Sequence, residues 1–212
     1  MASDVTAALR ERLSAAGYNV QQATIADRDA LLARRADFRL AWMATRVHTF
    51  VVAFVVDALE EALAAALSSA ARQYAIDHKG GLPRGLQTGT ATIAVFITNE
   101  CEQTTRSWFG HEPERRFAAL LAPVLVELGT RQVTYFSRLK YGSVYSDYLH
   151  ALVENVIAPG YRFSAGLDPA RPMGARSPGR QQESRIERLG RQPDRTLITQ
   201  LREWARSRRQ RP

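Results

Sequence analysis

The chain has 212 residues, of which 45% are hydrophobic and 24% are charged, a composition typical of a soluble globular protein. No apolar run approaches the roughly 20 residues of a membrane-spanning helix, and the N-terminus lacks the pattern of a signal peptide. The single cysteine, Cys101, excludes an intrachain disulfide, so we expect a cytoplasmic protein that does not enter a membrane.

The positive charge is confined to one end of the chain. Residues 1–158 contain 16 Lys and Arg and 16 Asp and Glu, so they are electrically neutral. Residues 159–212 contain 13 Arg and 5 Asp and Glu, which accounts for the whole net charge of +8. This segment also has six of the nine prolines and little aliphatic material. We predict a globular domain over 1–158 and a disordered, Arg-rich tail over 159–212, with a short helix at 194–208.

The first part of the chain shows two kinds of periodicity. We predict a helix at 4–16, an extended piece at 18–22, a helical segment at 26–35, and strands at 38–45 and 47–56. The second half of the last strand is apolar on both faces, which is typical of a strand covered on both sides.

A long helix is predicted to follow these strands, with Asp57 as its N-cap and Glu60 completing a capping box. Its apolar residues recur at steps of three and four as far as His78. Gly80 then provides the stop.

The remaining elements alternate between strand and helix. We predict a strand at 90–98, a short helix at 100–108, a hairpin of 117–128 with 131–139, and a helix at 143–157. The mixture indicates an α/β (α+β) fold, a single domain in which a mixed sheet of about five strands carries packed helices.

A glycine-rich stretch between the long helix and the next strand is the first candidate site. The sequence HKGGLPRGLQTGT places hydrogen-bond donors beside glycines that free the backbone amides to hold an anion. The candidate ligands in it are Lys79, Arg84, Gln87, Thr88 and Thr90. The stretch leads from a helix to a strand and lacks the GK[ST] ending of phosphate loops, so a plain turn is the alternative.

Arg46, directly before the strand predicted at 47–56, and His48 within it share one face and form the second candidate. They are interpreted either as a polar pair that opens into a ligand pocket or as a satisfied core histidine with a neighbouring cation. The four histidines are widely spaced and match no zinc-binding motif, so we expect no metal and no cofactor.

The tail provides a third candidate, because arginine pairs bidentately with phosphate and carboxylate groups. Nucleic acid or an acidic protein surface is the predicted partner. The residues nearest the C-terminus that we assign to this contact are Arg202, Arg206, Arg208, Arg209 and Arg211.

Three functions are compatible with these features, and no residue is assigned a catalytic role. The leading hypothesis is a non-enzymatic binding protein whose tail engages a polyanion. The second is an enzyme or sensor that binds a small anionic ligand at residues 79–90. The third is a structural subunit of a homo-oligomer or of a larger assembly.

Two stretches, TRVHTFVV and KGGLPRGLQTGT, followed by RFAALLAPVLVEL, resemble a family of small prokaryotic α/β proteins with no assigned activity. The resemblance covers residues 30–157. It implies an α/β fold and brings no site residues with it.

Overall fold

The computed structural model forms one mixed sheet of seven strands with helices on both faces. The α/β prediction is therefore confirmed, and the predicted number of five strands is wrong. All described residues belong to one compact unit, which covers residues 1–169. The structure describes residues 2–39, 45–80, 88–111, 118–136 and 143–165.

Four helices and seven strands make up the described chain, with a π-helical turn directly after the last helix, over Val153–Ile157. The helices are α1 (Ala2–Ala15), α2 (Glu61–His78), α3 (Gln103–Phe109) and α4 (Ser143–Leu152). The strands are β1 (Asn19–Ile25), β2 (Arg28–Arg39), β3 (Thr45–Val55), β4 (Thr88–Thr98), β5 (Ala119–Glu127), β6 (Gln132–Tyr135) and β7 (Arg162–Ala165).

The strands lie side by side in the order in which they occur in the chain. Strands β3, β4 and β5 are parallel, and β2 and β6 run antiparallel to them on either side. Strand β7 is parallel to β6. Connections between neighbouring parallel strands are right-handed crossovers. Because β6 and β7 run opposite to β3, β4 and β5, a right-handed crossover from β6 to β7 places its helix on the other face of the sheet. Helices α2 and α3 therefore cover one face and α4 covers the opposite one.

The sheet separates two hydrophobic cores. On one face, α1 and α4 pack over the strands, and Leu13 and Leu149 share a cluster with Val51 and Val95. On the other face, α2 and α3 bury a second cluster around Phe54. The central strands are buried on both sides, as the apolar run of β3 predicted.

The predicted helical segment at 26–35 is wrong, because most of it belongs to β2. Ala26 and Asp27 both have positive φ, of 51° and 58°, and form the two-residue turn between β1 and β2. After Arg28 and Asp29, the run from Ala30 to Ala33 is apolar without a break, because Leu31 packs into one core and Leu32 into the other. An unbroken apolar run of this kind has no period-two signal, so it resembles a buried helix.

The capping box predicted at Asp57 is also wrong. Helix α2 begins at Glu61, and its N-cap residue, Glu60, makes no side-chain capping hydrogen bond. The residues from Asp57 to Glu60 are not helical, although Leu59 among them is buried in the second cluster. The C-terminus of the helix agrees with the prediction, since Gly80 has a left-handed φ of 63°. In the described part of the chain, no helix is long and apolar enough to cross a membrane.

The sheet continues beyond residue 158, into the range that the charge distribution assigned to the tail. Strand β7 pairs with β6 there and was not predicted, since four residues give too short a pattern. The π-helical turn that precedes it is tied to α1 by Arg12, which donates hydrogen bonds to the carbonyl oxygens of Val156 and Ile157 at 2.8 and 3.1 Å. The predicted helix at 143–157 therefore consists of α4 and this turn.

Candidate functional site

Cationic and hydroxyl side chains meet where β3 and β4 begin, on the face covered by α2. Pairing between β3 and β4 places Arg46 opposite Thr88 and His48 opposite Thr90. The end of α2 and the middle of β2 add one cation each, both close enough to His48 to influence its titration. We call this set the cationic edge, and its members are Arg34, Arg46, His48, Lys79, Thr88 and Thr90.

His48 is the most unusual member of the cationic edge. Only 6% of the residue is exposed, and its Nδ1 atom has no hydrogen-bond partner among the described residues. Burial lowers the pKa of the imidazole, and the positive charges of Arg34, Lys79 and Arg46 lower it further. His48 is therefore neutral at pH 7, with one ring nitrogen able to donate a hydrogen bond and the other able to accept one.

Two of the cations also stabilise the C-terminus of α2. The Arg34 guanidinium donates a hydrogen bond from Nη2 to the carbonyl oxygen of Lys79. The Lys79 ammonium donates to the carbonyl oxygen of Gly80 at 3.3 Å. Cations at a helix C-terminus offset the negative end of the helix dipole, so part of this charge has a structural role. Arg46, by contrast, is exposed at the rim.

Strand β4 contributes a row of threonines to the same face. The backbone N–H of Thr90 donates to the carbonyl oxygen of Ala118 at 3.0 Å, and its hydroxyl donates to the same oxygen at 3.5 Å. The next residue on this face, Thr92, is fully buried, and no residue that the structure describes bonds to its hydroxyl. Polar groups thus extend from the rim into the α2 core.

The structure brings together five of the seven residues predicted as a ligand site. These are Arg46, His48, Lys79, Thr88 and Thr90. Arg84 and Gln87 lie outside the described residues, as do all five arginines assigned to the tail contact. Arg34 is not among the predicted ligand residues, because the pattern of residues 26–35 predicts a helical segment. Once the segment is assigned as a strand, the two-residue repeat places Arg34 on the same face as Leu32, but the apolar run itself does not reveal the strand.

Comparison with protein-family models, with curated proteins and with solved structures finds no match for this chain. The function is therefore inferred from the geometry of the chain itself.

The opposite end of the parallel strands holds a buried ion pair. Glu127, at the end of β5, is completely buried, and Arg106 of α3 binds both of its carboxylate oxygens at 2.7 Å. The backbone N–H of Cys101 donates to the same carboxylate at 3.2 Å. Burial, and then the Glu127 charge, raise the pKa of the Cys101 thiol, which disfavours the thiolate that a nucleophile requires. This cluster fixes the loop before α3.

A hydroxyl network lies on the α4 face of the sheet. The Tyr148 hydroxyl is 3.0 Å from the hydroxyl of Tyr18 and 3.1 Å from that of Thr49. It also donates to Asp37, which in turn accepts a hydrogen bond from Arg35 at 2.8 Å. Burial raises the pKa of Tyr18 above its usual value. The network joins α4 to β2 and β3 through side chains that satisfy one another, so we interpret it as structural.

Proposed function

We propose that this protein binds an anionic ligand at the cationic edge of its sheet. The observation that carries the proposal is the buried His48 imidazole, whose Nδ1 atom makes no hydrogen bond within the described part of the chain and whose pKa is lowered by three neighbouring cations. A buried polar group without a partner costs about 1–3 kcal/mol. An anion would supply a hydrogen-bond acceptor and opposite charge at the same place.

The chemistry of the edge favours an oxyanion, such as a phosphate or carboxylate group. Arg46 has a planar guanidinium that matches two oxygens of such a group, and it lies at the rim. Arg34 and Lys79 bond to the end of α2, so they contribute mainly through their positive potential. In this arrangement Arg46 and His48 contact the ligand directly.

The proposal predicts that Arg46→Ala removes ligand-induced stabilisation. In the wild type, at phosphate concentrations above the dissociation constant, the melting temperature should rise in proportion to the logarithm of the phosphate concentration. The variant should lose most of that increase, since the bidentate contact is gone, while its own melting temperature without phosphate changes little. Differential scanning fluorimetry with phosphate, and separately with acetate, measures both effects.

Arg28→Ala is the matched control, because it removes another exposed arginine, at the far end of β2. It should keep the wild-type response to phosphate. Equal losses in the two variants would show unspecific charge attraction and contradict the proposal. A wild type that responds to neither anion would contradict it as well.

A second candidate function, binding of a polyanion by the C-terminal segment, is supported by the confinement of net charge to residues 159–212. Arginine-rich segments bind nucleic acid through phosphate groups, and each phosphate that is neutralised releases counterions. The structure sharpens the test, because β7 occupies Arg162–Ala165 and any change must spare it.

A full-length variant tests this with glutamine at positions 202, 206, 208, 209 and 211. We expect its affinity for duplex DNA to fall less steeply with salt concentration than that of the wild type. For each phosphate that the variant no longer neutralises, the slope of log affinity against log salt should fall by about 0.9. Glutamine at positions 171, 176, 180, 185 and 188 removes the same charge from the middle of the segment and serves as the control. Fluorescence anisotropy gives the slopes, and an unchanged slope in the first variant would refute the assignment to those five arginines.

A further inference from the structure

Strand β1 is an open edge of the sheet. Among the described residues it pairs only with β2. The turn between the two strands has two residues, so Ile25 and Arg28 form the hydrogen-bonded pair beside it. Counting back along the strand from that pair, the residues whose backbone groups point away from β2 are Val20, Gln22 and Thr24.

This edge lacks the features that usually prevent strand association. The sequence NVQQATI contains no charged residue and no proline. Its pairing with β2 is one-to-one over all seven residues, so there is no bulge to twist the edge away. Natural sheet edges are normally short, charged, interrupted or covered. Strand β7, at the other edge, has only four residues and begins with Arg162.

We propose that β1 pairs antiparallel with β1 of a second copy of this chain, about a twofold axis at Gln22. The backbone groups that point outward are spaced symmetrically about that residue. An identical strand in the opposite direction therefore places Gln22 against Gln22, and Val20 against Thr24. Each of these pairs can exchange two main-chain hydrogen bonds.

Side-chain chemistry favours the same partner. Val20 and Thr24 are both β-branched, which suits directly opposed positions on a sheet. Strand β1 itself has no charged residue, so no like charges oppose each other within the paired strands. The result would be one continuous sheet through two subunits. The cationic edge involves β2, β3, β4 and α2 and takes no part in the contact.

The first test is the solution mass of the full-length chain over a dilution series. Sedimentation equilibrium should show a dimer that dissociates to the 23.7 kDa monomer on dilution. Thr24→Pro removes an N–H that does not bond to β2, and proline is tolerated on the open side of an edge strand. This variant should be monomeric throughout, and Thr24→Val should still form the dimer. A wild type that is monomeric throughout, or a dimer that Thr24→Pro leaves intact, would overturn the proposal.

The second test concerns register. In a Cys101→Ala background, Gln22→Cys places two cysteines opposite each other, with Cα atoms about 5.5 Å apart, within the range of a disulfide. Oxidation should cross-link this variant into a covalent dimer on a non-reducing gel. Gln21→Cys is the control, because residue 21 would face Ala23 of the second copy and should not cross-link. Equal cross-linking of both variants, or of neither, would contradict the pairing at Gln22.

Discussion

Replacing Arg106 with alanine is expected to lower the free energy of unfolding by about 3–5 kcal/mol. Arg106 donates to both carboxylate oxygens of Glu127 and to the carbonyl oxygen of Cys101. Without it, the fully buried carboxylate keeps, within the described ranges, only the hydrogen bond from the Cys101 backbone N–H. An uncompensated charge in the interior is among the most destabilising changes that one substitution can make.

Urea unfolding measures this loss as a lower midpoint with an unchanged slope. Arg106→Lys should be intermediate, because an ammonium keeps the charge without the two-pronged contact. The double variant Arg106→Met with Glu127→Leu removes both charges together and should recover much of the stability. Arg28→Ala, on the exposed end of β2, should change it by no more than about 0.5 kcal/mol. A loss below about 1 kcal/mol for Arg106→Ala would show that the pair does not hold the loop before α3.

Acid is expected to destabilise the wild type more than a His48→Gln variant. In the unfolded chain, His48 has its ordinary pKa of 6.5, and in the folded protein burial and the neighbouring cations lower this pKa. As the pH falls below about 6.5, the unfolded state therefore takes up the proton first. The linked loss of stability is at most about 1.4 kcal/mol per pH unit and ends at the folded pKa.

At pH values well above 6.5 both states carry a neutral imidazole, so the difference in stability between wild type and variant should be constant there. Urea unfolding at a series of pH values follows that difference directly and cancels the titration of the carboxyl groups that the two proteins share. His111→Gln, at an exposed position just after α3, should keep the wild-type slope. A wild type and a His48→Gln variant with parallel profiles from pH 7 to pH 5 would show that His48 is not held neutral by its surroundings.

Much of the central sheet could be predicted from the sequence because β3, β4 and β5 are covered on both faces. Such strands have unbroken runs of Val, Ile and Phe that differ from the amphipathic pattern of α2. Coverage on both faces also prevented the prediction of β2. Its apolar stretch around Leu31 and Leu32 lacks alternation and follows two aspartates that resemble a helix start. The burial pattern alone does not distinguish a buried strand from a buried helix. The feature that distinguishes them here is the turn at Ala26 and Asp27.

The candidate site was only partly accessible from sequence. The placement of Arg46 and His48 on one face follows from the period of a strand, which is a local property. The proximity of Arg34 and Lys79 to His48 depends on which strand lies beside β3 and on where α2 ends. Those are tertiary choices, made by the packing of two cores against one sheet, and local periodicity carries no information about them.

The agreement between chain order and spatial order in the sheet has a consequence for biosynthesis. Each strand that leaves the ribosome finds its neighbour already in place, so the domain can grow from β1 towards β7 without inserting a late strand between earlier ones. Until β7 is added, the growing end exposes a fresh row of unpaired backbone groups at every stage. While β5 is the last strand formed, this exposed row belongs to a strand that is apolar along nearly its whole length.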